Sequence, residues 1–239
     1  MKVFVISMKN STDRRLKVEQ ALANVSFEFF DADNLSDNSE HFIFSLYSPE
    51  KTKKYKGYEL TVPELGCFAS HISLWRKCVE LGESILILED NIEVVSELPE
   101  YLDKVHELSD KYGILKIYNL FKSNYKVFEE VEGKYKVVSN LKKSGLGTQA
   151  YAISPRVAQI YLNIVPGFFE PVDNFMEHEW RTKQTVYSLI PYLVQRGPVN
   201  STIGKRKLKN GMSAWSKVMP ELYRSYITIR RAMYNKLFK

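Results

Sequence analysis

The chain has 239 residues, of which 44% are hydrophobic and 13% aromatic, so it can bury the core of one large domain or of one and a half. Its formal charge of +6 indicates an anionic partner, which charge alone leaves open as nucleic acid, a phosphorylated ligand or a membrane surface. Two cysteines are too few for a secreted disulfide framework. Cys67 and Cys78 also lie about 16 Å apart along one predicted helix, so they cannot bridge each other, and we expect a reducing compartment.

No apolar run reaches the roughly 20 residues that span a bilayer. The apolar start of the chain, residues 2–6, is too short for a signal peptide before polar residues follow. We therefore expect a protein that stays in the cytoplasm.

The first elements are typical of a nucleotide-binding α/β unit. Residues 2–6 predict a strand and residues 14–24 a helix, with polar residues between them to cap it. No glycine-rich phosphate loop is present, so neither a P-loop nor a dinucleotide motif is supported. Asn10, Ser11 and Arg14 are candidates to contact a base or phosphate, although an ordinary surface loop has the same composition.

A second strand, residues 26–30, leads to Ala32 and Asp33, which would lie at the strand end beside a nucleotide. The next twenty-five residues are polar and rich in Tyr and Lys, with a basic cluster at residues 51–56. They predict a long, partly mobile excursion over the site.

The strongest helix signal begins at Thr61. Thr61 and Glu64 form a capping box, apolar residues then recur at spacings of three and four, and Gly82 ends the helix. His71, with Ser70 before it, lies near the packing face. A lone histidine there is more often a structural residue than a ligand.

Residues 85–88 are all branched and aliphatic, which predicts a strand buried on both faces of a sheet. The run stops at Glu89, Asp90 and Asn91. Open α/β sheets bind ligands at the carboxyl ends of their strands. Oxygen ligands suit Mg or Mn and, through the metal, a diphosphate. The alternative is a strand that ends in a solvated acidic turn.

The later elements continue the alternation of strands and helices. In order, the sequence predicts a helix at 98–112, a strand at 113–119, a hairpin at 126–140, a glycine-started strand at 145–153, a helix from Ser154 and Pro155, a further element at 169–180 with His178 at an exposed helical position, and a last strand at 186–194. This order indicates a mixed or parallel α/β sheet.

The C-terminal tail is a separate signal. It combines a basic cluster at residues 205–209 with a predicted helix beyond Pro220 that carries Leu222, Tyr226, Ile229, Met233 and Leu237 at helical spacing among Arg224, Arg230, Arg231, Lys236 and Lys239. A basic amphipathic helix suits an anionic membrane surface. The alternatives are a helix packed on the domain or one that binds a partner. No nucleic-acid module is recognisable, so we expect no nucleic-acid partner.

Seven stretches in order resemble glycosyltransferase family 25, the group of bacterial lipooligosaccharide galactosyltransferases and their relatives. They are VFVIS at 3–7 with 13–15, FFDA at 29–32, ELGCFASH at 64–71 with Leu74 and Trp75, ILEDN at 87–91, GTQAYAISP at 147–155, PVD at 171–173 and PYLVQ at 191–195. The resemblance covers roughly residues 2–203. It divides the chain into a glycosyltransferase domain at 1–203 and a basic amphipathic tail at 204–239.

The resemblance implies a single α/β domain of the GT-A type, with a mixed sheet flanked by helices and a nucleotide sugar at its carboxyl edge. It also implies an inverting transfer of a hexose, with galactose expected, from a UDP-sugar to a lipid-anchored saccharide of the lipooligosaccharide or lipopolysaccharide core. Such a reaction needs a general base and charge neutralisation on the leaving diphosphate. With this acceptor we expect peripheral association with the inner membrane.

The matching positions suggest roles for individual residues. Glu89, Asp90 and Asn91 would hold the metal, Mn or Mg, with Asp90 also catalytic. Asp173 is the candidate general base; the alternative is that it only caps the next helix. The donor would contact Asn10, Ser11, Arg14, Ala32, Asp33, Ser70, His71, Glu89, Gly147 and Thr148. Arg14 or its neighbour Arg15 could instead pair with nearby carboxylates.

One departure from the family pattern bears on the metal. The family generally has Glu-Asp-Asp where this chain has Glu89, Asp90 and Asn91. An asparagine offers a carbonyl oxygen but no charge, so we expect weaker metal binding here. The competing hypothesis is a catalytically silent protein that binds a nucleotide sugar or an anionic membrane.

Overall fold

The computed structural model describes residues 1–36, 38–95, 97–197 and 214–239, with side chains from residue 218 onward in the last segment. The strands are β1 (Lys2–Ser7), β2 (Glu28–Asp31), β3 (Ile85–Glu89), β4 (Ile92–Val94), β5 (Ile114–Lys116), β6 (Tyr125–Val131), β7 (Tyr135–Asn140), β8 (Ala150–Ile153), β9 (Tyr187–Ile190) and β10 (Val194–Arg196). The helices are α1 (Thr12–Ala21), α2 (Phe42–Leu46), α3 (Pro49–Lys56), α4 (Val62–Leu81), α5 (Leu98–Tyr112), α6 (Pro155–Ile164), α7 (Val172–Met176), α8 (Glu179–Thr182) and α9 (Ala214–Phe238).

The main sheet has eight strands in the order β2-β1-β3-β8-β5-β9-β7-β6, and β10 pairs with β4 in a small second sheet. The first three strands of the main sheet are parallel. β8 runs antiparallel between β3 and β5, whereas β5 and β9 are again parallel. The sequence allowed a mixed or a parallel sheet, and the sheet is mixed.

β3 is buried on both faces, as its run of aliphatic residues predicts. Ile85 and Ile87 belong to the core on one side of the sheet, where α4 and α6 pack. Leu86 and Leu88 belong to the core on the other side, with α1 and α5. Successive side chains of a strand point to opposite faces, so four consecutive apolar residues supply both cores.

The predicted capping box starts α4. The Thr61 hydroxyl accepts a hydrogen bond from the Glu64 N–H at 3.3 Å, and the Glu64 carboxylate accepts one from the Thr61 N–H at 2.8 Å. Gly82, at a φ of 67°, ends the helix. α4 thereby begins and ends where the sequence predicts.

The predicted mobile excursion after β2 is wrong for most of its length, because the chain there forms α2 and α3. Ile43 and Thr52 are fully buried, and the Thr52 hydroxyl donates to the Phe169 carbonyl at 2.9 Å. α3 packs against α9, and no residue of α2 or α3 lines the cavity at the carboxyl ends of β1 and β3. α2 has only five residues, too few to show a helical period.

α9 packs on the domain by one face only. Tyr223 donates to Glu170, the Tyr234 hydroxyl lies 3.0 Å from that of Thr185, and Lys239 pairs with Glu179 at 2.7 Å. The five apolar residues of the predicted stripe are exposed, from 48% for Tyr226 to 72% for Leu237. The cluster at 205–209 and the boundary after residue 203 lie outside the described residues. Among the described helices, none has the length and apolarity to cross a bilayer.

A buried ion pair fixes the loop that precedes β8. The Lys116 ammonium on β5 donates to the Glu177 carboxylate at 2.8 Å and to the Leu146 carbonyl at 2.6 Å, and only 2% of the Lys116 side chain is exposed. Glu177 follows the last turn of α7. The pair therefore joins β5, the 145–149 loop and α7.

We expect Lys116→Met to lower the free energy of unfolding by roughly 3–5 kcal/mol, because it leaves the Glu177 carboxylate buried without its counter-charge. Urea denaturation measures the loss. The double variant Lys116→Met/Glu177→Met removes both charges and should recover most of it. A double variant as unstable as the single one would show that the ion pair is not the source of the effect.

Candidate active site

A cavity of about 400 Å³ opens at the carboxyl ends of β1 and β3. Nine of the residues proposed from the sequence line it: Asn10, Ser11, Arg14, Ala32, Asp33, His71, Glu89, Asp90 and Asn91. They come from the loop after β1, the first turn of α1, the segment after β2, the inner face of α4 and the end of β3. The sheet edge thus brings together residues as distant in the chain as Asn10 and Asn91.

Asp90 is held by two neighbours. Its Oδ2 accepts from the Ser7 hydroxyl at 2.8 Å, and its Oδ1 accepts from the Arg14 guanidinium at 3.0 Å. Arg14 therefore both lines the cavity and pairs with a carboxylate, and Arg15 donates to Asp31 in the same way. These contacts compensate the charge of Asp90 and fix its orientation.

Glu89 is held from the opposite side by the two residues that precede β8, Thr148 and Gln149. Its Oε1 accepts from the Thr148 hydroxyl at 2.6 Å, and its backbone N–H donates to the Gln149 carbonyl at 2.8 Å. The pKa of the Glu89 carboxyl is raised to about 7, chiefly by burial and also by the nearby Asp90 and Asp173 carboxylates, while the Thr148 hydrogen bond acts to lower it. A cation bound next to Glu89 would favour its ionised form.

His71 belongs to a hydrogen-bond chain that sets its tautomer. The Trp75 indole N–H donates to the Tyr151 hydroxyl at 2.9 Å, and that hydroxyl lies 2.8 Å from His71 Nδ1. Among the described residues, His71 Nδ1 is the acceptor within reach of the Tyr151 hydroxyl proton, and when Tyr151 donates to it the proton of the neutral imidazole sits on Nε2. Burial lowers the pKa of His71 to about 3, so the ring is neutral. His71 Nε2 is buried and has no hydrogen-bond partner, so it can donate to a bound ligand.

The implied divalent metal can be tested against these groups. Cys67, His71 and Glu89 offer ligand atoms within 4.8 Å of one another, but His71 Nε2 carries a proton in the tautomer that Tyr151 imposes and has no lone pair to give. Asn91 Oδ1 is buried without a hydrogen-bond partner and lines the same cavity. The oxygens of Glu89, Asp90 and Asn91 therefore suit a hard cation such as Mg or Mn better than the set that includes His71.

Ser70, Gly147 and Thr148 do not line the cavity. Ser70 is fully buried; its hydroxyl accepts from the Asp33 N–H and donates to the Gly66 carbonyl, both at 2.9 Å. It therefore positions the segment after β2 rather than facing a ligand. A Cβ at Gly66 would lie 2.4 Å from the Asp33 carbonyl oxygen, so only glycine permits this close approach.

Asp173 lies in the first turn of α7, outside the residues that line the cavity. Its Oδ1 accepts from the Asn174 N–H at 2.7 Å, and its Oδ2 lies 3.5 Å from the Gly147 N–H. The first contact satisfies an N–H of the first turn, but the N-cap position of α7 is Pro171, so Asp173 is not the cap that the alternative expected. The carboxylate is nevertheless close enough to Glu89 to raise its pKa. Asp173 thus borders the site with partial exposure.

Several lining residues were missed from the sequence. Ser7 and Cys67 line the cavity, as do Asn34, Leu35 and Ser36 beyond β2 and Pro63 at the start of α4. Cys67 could have been found, because it precedes His71 by one helical turn. The expected exposure of His178 is wrong, since only 3% of it is exposed. Its ring packs on Trp180, and such burial has no sequence signal in a helix of four residues.

Fold and site together define an α/β protein with a polar cavity at the carboxyl edge of its central strands. The family model of glycosyltransferase family 25, described as an LPS biosynthesis protein, matches residues 1–176. The chain belongs to this family.

The chain has relatives in animals and in bacteria. The chain is 27% identical over 236 residues to a glycosyltransferase 25 family member of Aedes aegypti, covering 95% of this chain and 36% of that protein. It is 31% identical to procollagen galactosyltransferase 1-B of Xenopus laevis over 73% of this chain and 30% of that protein. It is 29% identical to the lipooligosaccharide biosynthesis protein lic2B of Haemophilus influenzae over 46% of this chain and 42% of that protein. The chain thus spans less than half the length of each.

Glu89 should make stability depend on pH. Its pKa is about 7 in the folded protein against an ordinary value of 4.5, so between these values the folded state binds more protons and the free energy of unfolding falls as pH rises. Glu89→Gln cannot ionise. Relative to the wild type, we expect it to gain about 2–3 kcal/mol between pH 4.5 and about pH 8.

Chemical denaturation across this pH range, with a chelator present, measures the difference. Glu93→Gln, at an exposed position of β4, is the control and should follow the wild type. A Glu89→Gln curve parallel to the wild type would contradict the burial argument.

Proposed function

We propose that the chain transfers a hexose, with galactose expected, from a UDP-sugar to a lipid-anchored lipooligosaccharide or lipopolysaccharide acceptor with inversion at the anomeric carbon. The observation that carries the proposal is the cavity in which Arg14, Glu89 and Asp90 converge beside Asp173. The family membership supports sugar transfer, and the names of the relatives support galactose and lipooligosaccharide as substrates. The mixed sheet with its ligand edge supports a GT-A type domain.

On the donor side, the loop after β1 and the segment after β2 would bind the nucleotide. A metal held by Glu89, Asp90 and Asn91 would neutralise charge that develops on the leaving diphosphate. Arg14 adds a fixed positive charge at the same place, and the His71 N–H offers a hydrogen bond to a phosphate oxygen. The site therefore does not depend on the metal alone for the positive charge.

On the acceptor side, Asp173 would act as general base. As the acceptor oxygen attacks the anomeric carbon, its proton passes to the Asp173 carboxylate. The bond between that carbon and the diphosphate breaks on the opposite face, and its electron pair leaves with the diphosphate. Attack from the face opposite the leaving group gives inversion.

The exposed stripe of α9 supports peripheral attachment to an anionic membrane. Ten of the 34 Lys and Arg residues but only one of the 28 Asp and Glu residues lie beyond residue 200. Leu222, Ile229 and Met233 are each more than half exposed on one line of the helix. An apolar stripe flanked by cations lies in the interface of an anionic bilayer. Such attachment would bring the active site to a lipid-anchored acceptor.

The second candidate is a catalytically silent binding protein, which the substitution at Asn91 and the basic tail favour. Calorimetry separates the two functions. A transferase should bind UDP more tightly with Mn than without, and Asp90→Asn should abolish the difference. A silent membrane-binding protein should show no metal-enhanced affinity for UDP.

For the general base, we expect Asp173→Asn to lower kcat roughly 10²–10⁴-fold while the Kd for UDP-galactose stays nearly unchanged, since the base acts on the acceptor proton. Transfer to deacylated lipooligosaccharide gives kcat, and calorimetry gives Kd. Asp103→Asn, on the exposed side of α5, is the control. If Asp173 only stabilises the first turn of α7, the variant will lose stability and retain kcat.

For membrane attachment, we expect Ile229→Glu/Met233→Glu to weaken binding to phosphatidylglycerol vesicles on the order of a hundredfold, because two apolar side chains that would insert into the bilayer are lost. Thr228→Glu/Ala232→Glu adds the same charge to neighbouring exposed positions outside the stripe. Vesicle co-sedimentation compares the two. Equal losses would mean that charge alone binds the vesicle and that the stripe does not insert.

A further inference from the structure

A second and larger cavity lies away from the donor site, between α3, α8 and α9. It has a volume of about 620 Å³, within the range of small-molecule sites. Its walls are formed by the aromatic residues Tyr55, Phe169, Trp180, Tyr223 and Tyr226, the apolar residues Met219 and Leu222, and His178, Lys51, Arg181 and Arg230. The proposed donor chemistry uses none of these residues.

The cavity is positively charged and presents no carboxylate. Lys51, Arg181 and Arg230 line it, and in the described part of the chain none of them has a carboxylate within 4 Å. Arg181 and Arg230 lie instead against the rings of Phe169 and Tyr226. The nearby Glu170 is 1% exposed and is engaged by Tyr223, Lys56 and His178, so it is not offered to a ligand.

A smaller cavity adjoins this one on the side of the active site. His178 lines both, and the smaller cavity is also lined by Leu146 and Asn174, the chain neighbours of Gly147 and Asp173. Its other lining residues include three further cations, Lys122, Lys143 and Arg231. The two neighbouring cavities are therefore lined by six cations, and the smaller one lies close to the candidate base.

We infer that the two cavities form the acceptor site, in which the aromatic cavity binds a phosphorylated sugar of the acceptor. This inference rests on the proposed function and names its substrate class. Aromatic rings pack against the C–H faces of sugars, and charge-assisted hydrogen bonds from Lys and Arg bind phosphate. Leu222 and Tyr226 belong both to the cavity wall and to the exposed stripe of α9. An acceptor whose lipid lies in the membrane can therefore place its phosphorylated sugar in the cavity and extend a hydroxyl to Asp173.

The test uses two matched double variants. Lys51→Gln/Arg230→Gln removes two charges that line the cavity. Lys53→Gln/Arg224→Gln removes two charges from the same helices, α3 and α9, at exposed ion pairs with Glu59 and Glu221 that lie outside the cavity wall. Exposed pairs of this kind contribute little to stability, so both variants should fold.

Calorimetry then measures binding of deacylated lipooligosaccharide before and after chemical removal of its phosphates. We expect the cavity variant to bind the phosphorylated probe on the order of tenfold more weakly than the wild type, because it loses charge-assisted contacts. The control variant should stay within about twofold of the wild type. Binding of the dephosphorylated probe should be weak and alike in all three proteins. Tyr226→Ala should weaken the binding of both probes, since it removes an aromatic ring against which the sugar packs.

The outcomes separate the inference from the function on which it rests. Equal losses in the two double variants, or equal affinity for the two probes, would overturn the cavity assignment. So would displacement of the probe by dihexanoyl phosphatidylglycerol or inorganic phosphate at comparable concentration, because the site would then recognise a lipid headgroup or any phosphate. Release of UDP from UDP-galactose without acceptor should be the same in every variant. If the wild type binds the phosphorylated probe but never turns over the donor, the proposed transferase function is refuted, whereas the assignment of the aromatic cavity as a binding site for a phosphorylated sugar is retained.

Discussion

The burial of β3 on both faces is the constraint from which the rest of the site follows. A strand with no exposed face must pair its backbone on both edges, and β3 does so with β1 in parallel and β8 antiparallel. The antiparallel neighbour brings the start of β8 to the end of β3, so that Thr148 and Gln149 meet Glu89. The parallel neighbour brings Ser7 to Asp90. The two carboxylates are oriented by different strands and therefore have different electrostatic environments.

Charge is distributed unevenly between the two cavities. The cavity at the sheet edge contains Asp33, Glu89 and Asp90, with Arg14 as compensation, whereas the described residues that line the aromatic cavity and the smaller one beside it include cations and no carboxylate. A nucleoside diphosphate is itself negative, so the first arrangement suits it only with added positive charge, which a metal can supply. The second arrangement attracts an anion directly. This difference argues for two ligands of different recognition chemistry on one domain.

The sequence predicted elements whose signal is local and long. The period of α4, its capping box and the aliphatic run of β3 each reflect one helix or strand, and all are confirmed. Prediction from the sequence failed where tertiary contacts determine the local structure. This is the case in α2 and α3, whose few buried residues contact distant parts of the chain. Nine of the residues proposed from the sequence line one cavity, because most of them follow strands whose carboxyl ends meet at the same edge of the sheet. The role of Ser70, the tautomer of His71 and the aromatic cavity depend on contacts between elements that sequence spacing does not encode.

The two faces of α9 show why its amphipathic pattern was informative but incomplete. The sequence showed an apolar stripe, and such a stripe ordinarily packs on the core. Here the domain is contacted instead by polar and amphipathic side chains, among them Tyr223, Tyr234 and Arg231, each with a hydrogen bond to the domain. These bonds fix the rotation of the helix so that Ile229 and Met233 remain outside. Because the exposed stripe and the wall of the aromatic cavity share Leu222 and Tyr226, whatever the stripe contacts also borders that cavity, so the proposed membrane attachment and the inferred acceptor binding would depend on one helix.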